Sequence, residues 1–269
     1  MELMELFKAA LIGIVQGITE WLPVSSTGHM NEFIKMNVSE TFMSTFLVVI
    51  QFGSILAVLT IFFKKLNPFD ASKTKIQKSE TIDLWIKVII AVIPSGILGL
   101  LFDDTIDALF FNPTTVAIAL IVYGIIMIML ENRNKKPSVN SFSEVSYKLA
   151  IGIGLFQCLA LIPGTSRSGS TIIGAVLLGT SRYIATEFSF FLAVPTMLGA
   201  SALKLVKTGF AFSGFEWLIL ATGSIVAYIV SILAIKFLLD YIKKHDFKVF
   251  GYYRIVLGIL VLAYFFLIK

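Results

Sequence analysis

Cysteine, histidine and charge are all scarce in this chain of 269 residues. Charged residues make up 14% of it, whereas a soluble domain has about 25%. The one cysteine, Cys158, cannot form an intramolecular disulfide, and one cysteine with two histidines disfavours a zinc site. Also missing are a Walker loop, a Rossmann glycine pattern and a basic leader followed by a cleavage site. We therefore expect no nucleotide-binding site and no cleavable signal peptide.

Apolar sequence fills most of the chain, with hydrophobic residues at 57%. Six apolar runs approach the ~20 residues that cross a hydrocarbon core of about 30 Å. They lie at 42–63, 84–102, 115–130, 188–206, 217–239 and 255–268. We therefore predict an all-α polytopic membrane protein. Pro94 is expected to kink or break the second run.

The excess of basic over acidic residues, +5 in net charge, lies in the loops between these runs. Under the positive-inside rule such loops stay cytoplasmic, so the excess indicates orientation rather than a nucleic-acid partner. The basic loops are 64–83, 131–148 and 241–254, and the loops at 102–114 and 207–216 are then outside. The first of the two outside loops is acidic. In this assignment Arg254 closes the last basic loop.

Two further apolar segments, 1–41 and 149–185, are interrupted at Pro23 and Pro163 and cannot be simple spans. In each, a Gly-x-x-Gln sequence precedes the proline and a serine-rich turn follows it, which is typical of a drifted duplication. The loop assignment is self-consistent only if each segment enters and leaves the membrane on the same side.

We therefore predict an inverted-topology repeat, in which each half has one re-entrant helical hairpin plus three transmembrane helices. Repeat 1 covers about 1–131 and repeat 2 about 149–269, with a basic cytoplasmic linker between them. Both belong to a single membrane domain, 1–269, whose termini lie outside. In inverted-repeat membrane proteins the site usually lies near the midplane, where broken helices meet.

The first interrupted segment places Gln16 and Glu20 four residues apart, so they share one face of a helix. A carboxylate inside a membrane segment is a functional hypothesis by default. Glu20 would bind a divalent cation or accept a proton from the nearby hydroxyls. The alternative is a structural role, in which Glu20 caps or hydrogen-bonds a neighbouring hairpin.

Ser25, Ser26 and Thr27 form a hydroxyl cluster that ends two residues before His29. Serine and threonine are the usual N-caps where a helix restarts, which is the structural alternative for each of them. A serine becomes a nucleophile when a base lies within reach, and His29 is one helical turn from Ser26. We therefore interpret this pair as functional. The second histidine, His245, lies in a predicted cytoplasmic loop and should be solvated.

The second interrupted segment carries Arg167, whose planar guanidinium suits phosphate oxygens. Hydroxyl groups surround it in the sequence, from Ser166, Ser168, Ser170 and Thr171. The restarting helix would point its positive end at the same place. The alternative is an internal ion pair between Arg167 and Glu20, which could also be the resting state of an anion site. Together the two segments predict a phosphate-type anion site.

Two motifs give the chain a family resemblance. Gln16-x-x-x-Glu20 leading into PVSSTGH, together with PGTSRSGST in the second half, strongly resembles the bacterial undecaprenyl-diphosphatase family of the bacitracin-resistance type. That family has an acidic-or-Gln x-x-x-Glu motif and a Pro-Gly-x-Ser-Arg-Ser-x-x-Thr motif, whose last place Thr171 fills. The resemblance covers the whole chain. Gln at position 16 is allowed by the pattern but removes one carboxylate, which weakens any scheme that needs two metal-binding carboxylates.

The resemblance implies hydrolysis of undecaprenyl diphosphate to the monophosphate and inorganic phosphate. This reaction would recycle the lipid carrier of peptidoglycan synthesis and confer bacitracin resistance. A site open to the outer face of the bacterial cytoplasmic membrane is implied as well, with a divalent cation, Mg²⁺ or Ca²⁺. The implied partners are the polyprenyl diphosphate and the bilayer, and a homodimer is left open.

On these positions, Ser26 is the expected nucleophile at the terminal phosphorus, with His29 as its base or as acid for the leaving group. Arg167 would hold the phosphoryl oxygens, and Glu20, with Gln16, would hold the cation or orient His29. The further phosphate-binding candidates are Ser25, Thr27, Ser166, Ser168 and Thr171. A membrane acid-phosphatase scheme, which needs two histidines, does not fit.

Two other classes of function remain open from the sequence. An inverted-repeat transporter or lipid flippase for an anionic, phosphate-bearing substrate has the same build of broken midplane helices. The Ser-Ser-Thr-Gly-His cluster favours chemistry over transport. A structural or assembly protein would leave the costly polar residues unexplained.

Overall fold

The chain is helical in a computed structural model that describes residues 2–26, 34, 36–133 and 135–267. The helices are α1 (Glu2–Thr19), α2 (Glu40–Val49), α3 (Gln51–Ile61), α4 (Phe63–Leu66), α5 (Lys75–Phe110), α6 (Pro113–Asn132), α7 (Tyr147–Cys158), α8 (Arg167–Leu177), α9 (Arg182–Thr208), α10 (Gly214–Ile242) and α11 (Lys248–Leu267). Two short 3-10 turns, Phe142–Glu144 and Leu159–Leu161, precede and follow α7.

Six helical segments of the described chain are long and apolar enough to cross a membrane. They are Glu40–Ile61, Lys75–Phe102, Pro113–Asn132, Arg182–Thr208, Gly214–Ile242 and Lys248–Phe266. The prediction of an all-α polytopic membrane protein is confirmed. Side-chain caps fix where several helices begin, because their oxygens accept an otherwise unpaired backbone N–H. These N-caps are Ser39, Asn112, Ser146, Ser166, Ser181 and Ser213.

Helix α5 is longer at both ends than the sequence predicted. It begins at Lys75, inside the predicted loop 64–83, and continues to Phe110, through most of the predicted loop 102–114. The aspartates of that loop do not end a helix by themselves, since the first strong stop is the Asn112 cap before Pro113. Of the two outcomes predicted at Pro94, a kink or a break, the break is wrong, because α5 is continuous there.

Arg254 does not lie in a loop, so its assignment to the basic loop 241–254 is wrong. Helix α11 begins at Lys248, and Arg254 lies inside it, fully buried. The charge misled the prediction, because a loop is where an unpaired arginine costs least. His245 does lie in the connection before α11, where it is exposed and stacks on Tyr241 at 4.5 Å.

Each interrupted segment packs its first helix against a helix from the other half of the sequence. Helix α1 lies along α10, where a side chain at Gly13 would come within 2.6 Å of the Gly223 carbonyl oxygen. Helix α7 lies along α5, where a side chain at Gly154 would overlap the Ala91 carbonyl. Only glycine allows backbones to approach this closely. The last helices of the two halves, α6 and α11, form a further tightly packed pair.

Candidate active site

The second interrupted segment breaks at residues 162–166, here called the second turn, which lie between α7 and α8 and pack against α6. Gly164 has φ +92°, a conformation that favours glycine, and an added side chain there would meet the Val116 carbonyl oxygen at 2.6 Å. Ser166 then caps α8 by accepting a hydrogen bond from the Gly169 amide at 3.1 Å. Arg167 is therefore the first residue of a helix whose N–H groups point toward the turn.

The first interrupted segment breaks at residues 20–26, here called the first turn, which follow α1 and have matching backbone geometry. Ser25 and Ser166 both have φ 72°, a left-handed conformation that is rare for residues with a side chain. Ser25 lies nine residues after Gln16, and Ser166 lies nine residues after Gln157. Counted from the glutamines, the two turns are thus in the same register, although their prolines are offset by one.

The two turns meet at a buried ion pair between Glu20 and Arg167. Arg167 Nη2 lies 2.9 Å from Glu20 Oε1, and Arg167 Nε donates to the same oxygen at 3.2 Å. Gln16 Nε2 donates to Glu20 Oε2 at 3.1 Å, so the two side chains lie on one side, as predicted from their i, i+4 spacing. The ion pair anticipated as an alternative is therefore present, and it brings residues 147 positions apart into contact.

The predicted phosphate-binding hydroxyls of the second segment lie around this pair but are engaged with the protein. Ser168 donates to the Leu22 carbonyl of the first turn at 3.3 Å, and Thr171 donates to the Arg167 carbonyl at 2.9 Å. Ser166 lies 3.2 Å from Ser168. These bonds tie the start of α8 to the first turn and hold the hydroxyls in one place.

The predicted residues of the first turn are described in part. Ser25 is buried, and Ser26, the expected nucleophile, is half-buried and follows directly. Thr27 and His29 lie outside the described residues. The described geometry therefore brings Gln16, Glu20 and the first turn to Arg167.

Ser189, on α9, is a site residue that the sequence analysis missed. Its carbonyl accepts from Arg167 Nη1 at 2.9 Å, and its hydroxyl lies 2.6 Å from that of Thr171. The guanidinium is thus held by Glu20 on one side and by Ser189 on the other. A polar residue inside the phenylalanine-rich run of α9 was the available signal.

The oxygens that could hold a divalent cation are few. Glu20 offers a carboxylate, and Gln16 Oε1 is a buried amide oxygen with no hydrogen-bond partner among the described residues. In residues 2–26, 34, 36–133 and 135–267, no group of three or more His, Cys, Asp and Glu side chains could hold an ion. Mg²⁺ commonly binds one or two protein groups and takes its other ligands from substrate phosphates and water. Gln16 and Glu20 fit a cation of that kind and not a fully protein-bound one.

An apolar groove lies beside the first turn, between the end of α10 and the start of α11. Its volume is about 480 Å³. It is lined by Val15, Ile18, Thr19, Leu22, Val24, Phe237, Tyr241, Val249, Phe250 and Tyr253. Thr19 and Leu22 flank Glu20 in the sequence, so the groove and the ion pair share the same turn.

Comparison with known proteins gives full-length matches. The family model described as Bacitracin resistance protein BacA matches residues 9–260, which include both turns. The chain is 77% identical over 269 residues to Undecaprenyl-diphosphatase 1 of Clostridioides difficile (strain 630), covering 99% of this chain and 98% of the relative. It is 58% identical to Undecaprenyl-diphosphatase of Desulfitobacterium hafniense (strain DSM 10664 / DCB-2), covering 98% of each. Undecaprenyl-diphosphatase of Enterococcus faecalis is 57% identical, with 97% of this chain covered.

Proposed function

Because the chain belongs to the bacitracin resistance protein BacA family, we propose that it hydrolyses undecaprenyl diphosphate to undecaprenyl phosphate and inorganic phosphate. The observation that carries this proposal is the meeting of Glu20 and Arg167 at the junction of two broken helices. An arginine at a helix start, beside several hydroxyls, suits a phosphoryl group. The product would return to peptidoglycan synthesis, and loss of the diphosphate lipid would protect against bacitracin.

In this proposal Arg167 exchanges partners when substrate binds. Phosphoryl oxygens would take the place of the Glu20 carboxylate on the guanidinium, while the Ser189 carbonyl continues to orient it. The N–H groups at the start of α8 point at the same charge. Phosphoryl transfer depends mainly on such preorganised positive groups, because the charge on the transferred oxygens must be stabilised.

Ser26 would act as nucleophile at the terminal phosphorus. Its hydroxyl proton would pass to His29 as the oxygen–phosphorus bond forms and the bond to the bridging oxygen breaks, releasing undecaprenyl phosphate. Water would then cleave the phosphoserine, release inorganic phosphate and restore the serine hydroxyl. An alternative role for His29 is acid for the leaving group. Ser25, Thr27, Ser166, Ser168 and Thr171 are the proposed phosphate-binding hydroxyls.

Gln16 and Glu20 would hold a divalent cation, Mg²⁺ or Ca²⁺, together with oxygens of the diphosphate. When bound, such a cation neutralises part of the negative charge of the phosphates. The buried Gln16 Oε1 atom, which has no described partner, supports this placement. The groove beside the first turn would receive the start of the polyprenyl tail, since it is apolar and lies next to Glu20.

The proposed topology is an inverted repeat with two re-entrant hairpins, in which the basic loops are cytoplasmic and both termini are outside. The equal φ values at Ser25 and Ser166 support this topology. So does the equivalent packing of the first helix of each interrupted segment on a helix of the other half, α1 on α10 and α7 on α5. The protein would then lie in the bacterial cytoplasmic membrane with its site open to the outer face.

Phosphate release by the purified full-length protein tests this function. We expect release from undecaprenyl diphosphate but not from undecaprenyl phosphate, and loss of release with EDTA that Mg²⁺ or Ca²⁺ reverses. Ser26→Ala should abolish release, whereas the exposed Ser44→Ala is the matched control and should keep the wild-type rate. Wild-type rates in Ser26→Ala would rule out the serine nucleophile. No release by the wild-type protein would refute the function itself.

A further inference from the structure

Arg254 is the most deeply buried charged side chain in the described part of the chain, at 0% exposure. It lies on α11, in neither of the two interrupted segments, yet its guanidinium reaches both. Nη1 donates to the Pro23 carbonyl at 3.2 Å. Nη2 donates to the Gly164 carbonyl at 2.8 Å and to the Thr165 carbonyl at 3.0 Å. One side chain therefore joins the two turns.

These three carbonyl groups lie outside the helices, in the turns where the two interrupted segments break. Backbone polar groups within a membrane must be paired inside the protein, because lipid offers no hydrogen bonds. A guanidinium has several N–H donors in a fixed plane, so it can serve carbonyls from two segments at once. A lysine ammonium carries the same charge but lacks that planar fork.

The position of Arg254 is itself fixed by close helix packing. A side chain at Gly124 of α6 would come within 2.7 Å of the Gly251 carbonyl oxygen of α11. The guanidinium also lies 5.6 Å from the centre of the Tyr123 ring. Arg254 Nη1 also lies 3.2 Å from the position that a Cβ atom would occupy at Gly169, near the start of α8. The Arg254 guanidinium therefore lies next to the start of α8.

We propose that Arg254 is a positioning residue, which holds the two turns in the register at which Glu20 meets Arg167. Among the described residues no carboxylate forms an ion pair with Arg254, and its guanidinium donates to the backbone carbonyls of Pro23, Gly164 and Thr165. It touches neither substrate nor cation in this proposal and acts through the turns alone. The kinetic part of the test rests on the proposed phosphatase function, and the cross-linking part does not.

The kinetic test compares Arg254→Gln and Arg254→Lys with the wild-type protein. We expect both to lower kcat by about 10²-fold while KM changes little, because a displacement of about 1 Å at a catalytic site can cost that much. Lysine should not restore the rate, because it keeps the positive charge but lacks the planar set of N–H donors that binds carbonyls of both turns. Wild-type kcat in Arg254→Lys would overturn the proposal.

Cross-linking measures the register without using activity. In a Cys158→Ala background, Leu22→Cys with Ser168→Cys should be joined by a short bifunctional thiol reagent, because the Ser168 hydroxyl contacts the Leu22 carbonyl. Arg254→Gln should reduce this yield several-fold. The control pair, Ser54→Cys with Ser231→Cys, joins α3 and α10, where the native hydroxyls lie 3.0 Å apart. Its yield should not change.

A matched arginine separates positioning from stability. Arg182, at the start of α9, donates to the buried Glu131 at the end of α6 and belongs to neither turn, so Arg182→Gln should lower the Tm but leave kcat and the Leu22–Ser168 cross-link unchanged. Equal loss of both cross-links in Arg254→Gln would overturn the proposal, because the arginine would then support the whole bundle. A wild-type protein that releases no phosphate would refute the phosphatase function while leaving the cross-linking result valid.

Discussion

At the scale of single residues, the Glu20–Arg167 pair would be the resting state of the proposed site. Both side chains are largely buried, at 8% exposure for Glu20 and 11% for Arg167. Water therefore hydrates neither charge well, and each charge is compensated mainly by the other. Removing one partner of such a pair costs about 3–5 kcal/mol, because the desolvation of the remaining charge is then uncompensated. In the proposed exchange, a diphosphate would therefore have to supply Arg167 with negative charge in place of the Glu20 carboxylate.

A double-mutant cycle tests this coupling. Glu20→Gln and Arg167→Gln should each destabilise the protein by about 3 kcal/mol, because each leaves its partner's charge buried and unpaired. The double variant should recover much of that stability, and all three should release no phosphate. Thermal unfolding in detergent gives the stabilities. If the double variant is as unstable as the sum of the single ones, the two residues are not coupled.

The sequence could indicate a site residue only where its polarity or charge differed clearly from that of its neighbours. Glu20 and Arg167 stand out as charges beside helix-breaking prolines, and their pairing was anticipated as one alternative. Arg254 could not be found this way, because an arginine beside a basic loop is ordinary by itself and its contacts are with residues far away in the sequence. Ser189 does contrast with its phenylalanine-rich neighbours, but nothing in the sequence links it to Arg167.

At the scale of helices, α8 begins at a serine with two opposing properties. Ser166 supplies the N-cap oxygen to Gly169, but its φ of 72° is one that a residue with a side chain rarely adopts. Its side chain therefore stabilises the helix start while its backbone conformation costs energy.

Substitutions at Ser166 should separate the two effects. Ser166→Ala loses the cap and keeps the strained conformation, so it should destabilise the protein by about 1 kcal/mol or more. Ser166→Gly also loses the cap but relieves the strain, so its stability should stay close to that of the wild type. Thermal unfolding of the two variants in the same detergent measures the difference. A glycine variant less stable than the alanine variant would contradict this account.

The contact between α7 and α5 predicts a second element-scale effect. Gly154→Ala would push a methyl group into the Ala91 carbonyl, so α7 must move and the protein should lose about 1–3 kcal/mol. Gly199, in α9, is the matched control because nothing lies within 4 Å of its added methyl group. Gly199→Ala should be neutral or stabilising by up to about 1 kcal/mol. Equal unfolding temperatures of the two variants would contradict the packing argument.

Hydropathy predicted which stretches form helices better than where these helices end. The six spans follow directly from apolar length, which is a local property of the sequence. The ends of α5 do not follow from apolar length, because the helix continues through polar residues on both sides of the apolar run. Such residues are compatible with a helix until a capping residue or a proline ends it. Contacts such as α1 with α10 are long-range and leave only spaced glycines as a trace in the sequence.

At the scale of the whole molecule, the proposed orientation depends on which connections lie on which side. An odd number of spans in each half would invert the second half relative to the first, so the two interrupted segments would enter from opposite faces. The basic connections would then be cytoplasmic, and the connection between α9 and α10 would be outside.

Cysteine accessibility in intact cells tests this orientation. In a Cys158→Ala background, Ala71→Cys lies in the exposed connection before α5, and Ala211→Cys lies in the exposed connection between α9 and α10. A membrane-impermeant thiol reagent should label position 211 in intact cells and position 71 only after permeabilisation. The two alanines are matched in size and exposure, so reactivity alone should not separate them. Labelling of position 71 in intact cells would invert the proposed topology and with it the face to which the site opens.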